Sequence, residues 1–167
     1  MARKVLIVMG SDSDLEHLMP AVQILKELDI AVDVKVASAH RSPDRVLELA
    51  RSALSQNIGV VLAAAGGAAH LAGVFAANTT LPVVAVPIAT GTLGGVDALL
   101  SSVQMPGGVP IASVGINSGR NAGLFAAAIL SSGDPTLSAK LAEFRGRQAS
   151  GVVAADARVQ AKLAESK

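Results

Sequence analysis

The chain has no cysteine, no tryptophan and no tyrosine. Without a thiol there is no disulfide framework, no thiolate metal site and no nucleophilic sulfur chemistry. The three remaining aromatics, Phe75, Phe125 and Phe144, are too few for the stacking platform on which single-stranded nucleic acids bind. Basic runs are missing as well. With 14 Lys and Arg against 13 Asp and Glu, a formal net charge of +1, nucleic acid is not an expected partner. Charged residues interrupt every apolar run before it reaches the roughly 18 residues of a membrane span, and the N-terminus shows no signal-peptide pattern. These features lead to the expectation of a soluble, cytoplasmic protein with no membrane partner. The H-x-x-x-H and H-E-x-x-H ligand spacings and the GxxxxGK[ST] phosphate loop are also missing, so neither a metal nor ATP is expected.

What is present is alanine, glycine and aliphatic residues, with 51% of the 167 residues hydrophobic. That length suits one domain with a full core, expected to span 1–167 with a helical tail from about 134 to 167. Five short runs read as strands: KVLIVMG (Lys4 to Gly10), AVDVKVAS (Ala31 to Ser38), GVVLAAAG (Gly59 to Gly66), LPVVAVPI (Leu81 to Ile88) and PIASVGI (Pro110 to Ile116). Most are near-continuously apolar, as in strands covered on both faces. Between them lie segments of helical period. In SPDRVLELARSALSQ, Val46, Leu47, Leu49, Ala50, Ala53 and Leu54 fall on one side and Asp44, Arg45, Glu48 and Arg51 opposite, which predicts an amphipathic crossover helix. Strand, helix, strand with right-handed crossovers gives a three-layer α/β sandwich, a flavodoxin-like doubly wound parallel sheet of five strands in the order 2-1-3-4-5. The tail from Asp134 predicts one or two closing helices. Pro20 interrupts the first helical segment, predicting a kink there or a helix that starts near Met19.

In open parallel sheets, ligands bind beyond the carboxyl ends of the strands where the strand order reverses. The order 2-1-3-4-5 brings GSDSD (Gly10 to Asp14), SAHR (Ser38 to Arg41) and AGGAAH (Ala65 to His70) to one edge. Ser11, Ser13 and Ser38 offer hydroxyls beside helix starts, and Arg41 offers a planar fork, the donor set for a phosphate. Helix capping is the structural alternative for each serine, with Ser13 or Asp14 as the expected cap of the first helix. Asp14 can accept from sugar hydroxyls and Asp12 is expected to be solvated. Gly66 and Gly67 let a flat ring approach the main chain. His40 and His70 are titratable groups suited to moving protons near neutrality, whereas His17 reads as structural.

The blocks GSDSD, SAHRSPD, AAAGGAAHLAG, GGVDALLSSVQMPGGVP and NAGLFAAAIL, in that order from Val5 to about Leu130, resemble the phosphoribosylaminoimidazole carboxylase family. Its class I catalytic subunits are the N5-carboxyaminoimidazole ribonucleotide mutases of purine synthesis. The resemblance implies an isomerase that shifts a carboxylate from the exocyclic nitrogen of its ribonucleotide substrate to carbon 4 of the imidazole, with no cofactor. It implies His40 as general acid and base. Ser11, Asp14 and Arg41 would bind the ribonucleotide, Ser13 and Ser38 would support its phosphate, and Gly66, Gly67, Ala68, His70 and Leu71 would line the ring and carboxylate pocket. It further implies a homo-octamer whose neighbouring subunits complete each site, and an ATP-dependent synthetase as functional partner.

Ala68, Ala69 and Leu71 supply apolar walls that would retain carbon dioxide. Where the family pattern usually reads AGAGGAAHLPG, this chain has Ala64 for a Gly and Ala72 for a Pro; the first is tolerated only in extended backbone, and the second should loosen the start of the third helix. A receiver domain is excluded by the missing Asp after strand three and Lys after strand five. Direct carboxylation of aminoimidazole ribonucleotide or of another heteroaromatic ring, and nucleotide binding without turnover, stay open as alternatives. VQMPGGVP (Val103 to Pro110) is an apolar connector of the kind that marks an interface.

Overall fold

Aliphatic, β-branched segments form the strands of the computed structural model, which describes residues 3–165. They are β1 (Lys4–Met9), β2 (Val32–Val36), β3 (Ile58–Gly66), β4 (Val83–Ile88) and β5 (Ala112–Ser113). All pair in parallel, in the order β2-β1-β3-β4-β5. The helices are α1 (Leu15–Glu27), α2 (Pro43–Ser52), α3 (Leu71–Ala76), α4 (Val96–Val103), α5 (Gly119–Ser131) and α6 (Pro135–Glu165), with a 3-10 turn over Asp12–Asp14 ahead of α1. This is the expected doubly wound, flavodoxin-like sheet.

Alternate residues of β1 enter two different cores. Val5, Ile7 and Met9 pack with α1, α5 and the start of α6, while Leu6 and Val8 pack with α2 and α3. That period-2 split explains why the central strands read as unbroken apolar runs: each face meets a helix layer. The chain leaves β1, β2 and β3 at one level, because Met9 pairs with Val36 on one side and Ala64 on the other. Ala64 lies within β3 and is fully buried, so its methyl fits extended backbone as the sequence requires.

Several expectations need correction. β2 is an edge strand with one neighbour, and its Val34 and Val36 are exposed rather than covered on both faces. β5 shrinks to two residues; Pro110, two residues ahead of it, has no N–H for a ladder. The first helix starts at Leu15, not near Met19, and runs through Pro20. What Pro20 removes is one N–H that would have reached the carbonyl of Glu16, an exposed residue whose carbonyl can turn to water. In the second helical segment Leu54 lies beyond the end of α2 and is exposed. The tail is one helix, docked by Leu137, Leu141 and Phe144, a 4-and-3 spacing that fills one stripe.

The α1 and α5 helices approach closely through glycine. A Cβ at Gly119 would strike the His17 carbonyl oxygen, and one at Gly123 would lie 2.6 Å from Ile24 Cγ2 and 3.1 Å from Ala21 Cα. Gly146, in the exposed length of α6, has nothing within 4 Å of its added Cβ. Gly123→Ala should therefore lower stability by about 1–3 kcal/mol through overpacking. Gly146→Ala should raise it by roughly 0.5–1 kcal/mol through backbone entropy. Denaturant unfolding at matched protein concentration measures both, and the opposite signs are the test.

Candidate active site

The first loop is built around its own serine cap. Ser11, in extended backbone, accepts from the Ser13 N–H at 3.4 Å, and the Asp14 carboxylate accepts from the Ser11 N–H at 3.0 Å. This capping box fixes the turn. Ser11, rather than Ser13 or Asp14, is thus the cap; Asp14 makes no side-chain cap bond to α1. The Ser11 and Ser13 hydroxyls lie 2.9 Å apart, side by side. Asp12 is exposed, as expected, and its Oδ1 also accepts from the Ser13 N–H at 3.1 Å.

The second loop is locked to the first through Arg41. Its Nη2 donates to the Gly10 carbonyl at 2.7 Å, and its backbone N–H and Nε both donate to Ser38 Oγ at 3.2 and 3.4 Å. Ser38 is held in turn by Ser42, whose Oγ accepts from the Ser38 N–H at 2.9 Å. The guanidinium is thereby oriented before any ligand arrives and keeps N–H groups for an anion. Beside it, His40 Nε2 lies 2.9 Å from His70 Nδ1, the rings meeting edge to face at 79°.

The third loop needs its glycines for two different reasons. Gly66 has no room for a side chain: a Cβ there would lie 2.5 Å from Thr90 Oγ1 and 3.1 Å from the Ile88 carbonyl. Gly67 takes φ +59, a left-handed turn that favours glycine. The turn then delivers His70 to the start of α3, where Ala72 is buried.

These loops enclose a cavity of about 360 Å³. It brings together Ser11, Ser13, Asp14, Ser38, His40, Arg41, Gly66, Ala68, His70 and Leu71. Gly67 shapes the turn without lining the cavity, and its carbonyl faces Ser101 Oγ at 3.4 Å. Ala69 is no wall either; it is buried, and its N–H donates to Ser101 Oγ at 3.1 Å. Thr90, Ala39 and Ala65 also line the cavity. Thr90 follows β4 at the same sheet edge, so the rule that located the other loops would have found it had the fourth loop been included.

A larger cavity of about 760 Å³ lies where β2, β3 and β4 begin, between residues such as Arg3, Asp29, Gly59, Pro82 and Lys140. It contains no histidine or serine cluster, and its Asp29 and Lys140 are engaged with each other at 2.7 Å. The titratable and hydroxyl cluster lines the smaller cavity, at the carboxyl edge where open parallel sheets bind ligands. Among the described residues, no group of three or more His, Asp or Glu could hold a metal ion, and no helix is long and apolar enough to cross a membrane.

Burial raises the pKa of Asp14 above its ordinary 3.8, opposed by the Ser11 N–H, by His17 and by Arg41, and assisted by Asp12. A carboxyl under that tension is an acceptor whose charge is only partly compensated until donors from a ligand arrive.

The fold and the site define a doubly wound α/β protein that gathers hydroxyls, an oriented arginine, a buried carboxyl and two imidazoles at the carboxyl edge of its sheet. Residues 4–151 match the family model described as AIR carboxylase, and the chain belongs to that family. It is 50% identical over 141 residues to the N5-carboxyaminoimidazole ribonucleotide mutase of Thermotoga maritima, covering 84% of this chain and 82% of the relative. It is 49% identical over 154 residues to the enzyme of that name from Mycobacterium leprae, covering 92% and 90%. A phosphoribosylaminoimidazole carboxylase of Schizosaccharomyces pombe is 50% identical over 138 residues, which are 83% of this chain and 25% of the relative. The crystal structure of Treponema denticola PurE superposes with a TM-score of 0.86 at 25% identity, covering 93% of this chain and 98% of that one.

Asp14→Asn tests the carboxyl's environment. Because the folded-state pKa lies above the unfolded value, the neutral carboxyl's contribution is complete below about pH 3.8 and is lost as pH rises through the folded pKa. Asparagine keeps an acceptor for the Ser11 N–H and cannot ionise. The variant should therefore gain stability relative to the parent chain between acid pH and neutrality, read as the difference between two denaturant unfolding series. A flat or reversed difference contradicts burial as the dominant cause.

Proposed function

We propose that this chain is an N5-carboxyaminoimidazole ribonucleotide mutase, an isomerase producing 4-carboxy-5-aminoimidazole ribonucleotide on the way to IMP. The observation that carries the chemical reading is the His40–His70 imidazole pair at 2.9 Å in the same cavity as the Arg41 and serine cluster. Residues 1–167 act as one catalytic domain in the cytoplasm, with α6 as its tail. Arg41, Ser11, Ser13 and Ser38 take the phosphate end of the ribonucleotide, and Asp14 accepts from the sugar hydroxyls. Gly66, Ala68, His70 and Leu71 surround the ring, over the turn made by Gly67. Anchoring the remote phosphate fixes the position of the reacting ring.

The reaction begins when His40 protonates the carbamate nitrogen. The N–C bond breaks, leaving a neutral amine and carbon dioxide held against Ala68 and Leu71. Carbon 4 attacks the retained carbon dioxide through the ring's electron pair and forms the new C–C bond. The proton still on carbon 4 passes to the imidazole that gave one up, restoring aromaticity and the starting protonation. Atoms and charge balance without ATP, metal or organic cofactor. Retaining carbon dioxide beside its acceptor replaces a bimolecular encounter with an oriented one, an advantage that can reach several kcal/mol.

The chain acts as a homo-octamer in this reading, supplied by an ATP-dependent synthetase that makes its substrate. Support for assembly comes from α4, where Val96, Leu100 and Val103 are about half exposed at helical spacing, next to exposed Leu93. Such a stripe is costly to leave in water.

His40→Asn should reduce interconversion of the two carboxylated ribonucleotides by about 10²–10⁴-fold while nucleotide still binds by calorimetry. Turnover is assayed without ATP or bicarbonate. A parent chain that binds nucleotide and moves no carboxylate would overturn the mutase reading. Independently, Leu100→Glu should shift the mass measured by light scattering from octamer towards smaller species, and an unchanged mass would remove α4 from the interface.

A further inference from the structure

The contact between the two imidazoles restricts where each ring can keep its proton. A neutral imidazole has one N–H and one lone pair. For His40 Nε2 and His70 Nδ1 to bond at 2.9 Å, one must donate and the other accept. If His40 Nε2 donates, His70 Nδ1 is the bare nitrogen and the His70 proton sits on Nε2. If His70 Nδ1 donates, the His40 proton sits on Nδ1. Two neutral rings must therefore be the same tautomer, both Nε2–H or both Nδ1–H. Unlike tautomers would set two protons or two lone pairs against each other.

Neither ring makes another hydrogen bond or ion pair among the described residues; each is the other's partner. In most proton-carrying histidines a carboxylate or carbonyl fixes the ring. Here a second histidine occupies that place. The acid form of His40 carries both N–H groups, so His70 Nδ1 has to be the acceptor and the His70 proton has to be on Nε2. After His40 gives up its Nδ1 proton, its Nε2–H still points at the same acceptor. The pair passes through the whole cycle without rearranging.

We propose that His70 is a positioning residue that holds the Nε2 proton of His40, so that the proton leaving and returning during turnover is carried by His40 Nδ1. This rests on the mutase reading for its catalytic consequence and for the choice of Nε2–H over Nδ1–H; that two neutral rings share one tautomer rests on the contact alone. The proton leaves Nδ1 for the substrate nitrogen, the N–C electron pair stays with that nitrogen, and the proton from carbon 4 returns to the same Nδ1. His70 neither gains nor loses a proton.

The tautomers are read directly from long-range 1H–15N spectra of the imidazoles, without substrate and at a pH where both rings are neutral. Both residues should show the Nε2–H pattern. His70→Phe should leave His40 as a mixture of tautomers and lower kcat by about tenfold or more, as loss of an orienting partner does, with a smaller change in KM. His70→Asn, whose side-chain oxygen can accept from His40 Nε2, should restore the single tautomer and most of kcat. Unlike tautomers in the parent chain, two Nδ1–H rings, or a His70→Phe variant with unchanged His40 spectrum and kcat would each overturn the assignment. If the spectra are as stated and the parent chain moves no carboxylate, the mutase reading fails and the pairing stands.

Discussion

Every polar contact at the site depends on β1 pairing in parallel with β2 on one side and β3 on the other. Met9 ends opposite both Val36 and Ala64, so three loops leave the sheet at one height. The constraint is enforced by burial: each residue from Val5 to Met9 is nearly inaccessible, alternating between the two cores. A slip of one residue would send Ile7 and Val8 to each other's helix layers and lift one loop away from its neighbours. Close approach of α1 to α5 at Gly119 and Gly123 holds one of those layers against the sheet. The site therefore takes its precision from apolar packing and needs few polar contacts of its own.

Those few polar contacts tie loop to loop. Arg41 reaches back to the Gly10 carbonyl and Ser38 clamps its Nε, so an arginine that would otherwise sample many rotamers is ordered by the protein's own contacts. Its charge also eases the burial of Asp14, which remains under tension nonetheless. The imidazoles lie at the same edge but exposed. The second loop is the hinge of the site: Arg41 and Ser38 tie it to the first, and His40 ties it to the third through His70.

Much of this was legible in the sequence because it follows from periodicity and from the geometry of parallel sheets. KVLIVMG and GVVLAAAG read as strands covered on both faces, and the order 2-1-3-4-5 puts the loops after them at one edge. Gly66, Ala68 and His70 of the third loop, and Leu71 just after it, line the cavity at that edge. Contributions that depend on chain direction within a loop were not legible. Ala69 turns to the core and Gly67 bends the chain because the left-handed turn reverses the facing of successive residues, which a string of small residues does not reveal. Ser11 rather than Ser13 caps the turn because the extended residue, not the nearest one, has its hydroxyl in reach of a free N–H. β2 stays exposed at Val34 and Val36 because it is an edge strand with one neighbour, which the composition of AVDVKVAS does not reveal. Pro20 is tolerated where local propensity forbids it, as packing of Leu18, Ala21, Ile24 and Leu25 outweighs one missing hydrogen bond.

The central claim is that a ribonucleotide lies across these three loops with its phosphate on Arg41 and the serines and its ring beside the paired imidazoles. A crystal structure of the His40→Asn variant with the N5-carboxylated ribonucleotide bound tests it most directly. The account predicts phosphate oxygens within hydrogen-bond distance of the Arg41 guanidinium and the Ser11 or Ser13 hydroxyl, with the exocyclic nitrogen facing residue 40. A nucleotide seated in the larger cavity at the other end of the sheet, or one with its phosphate at the Gly66–Gly67 turn, would contradict it.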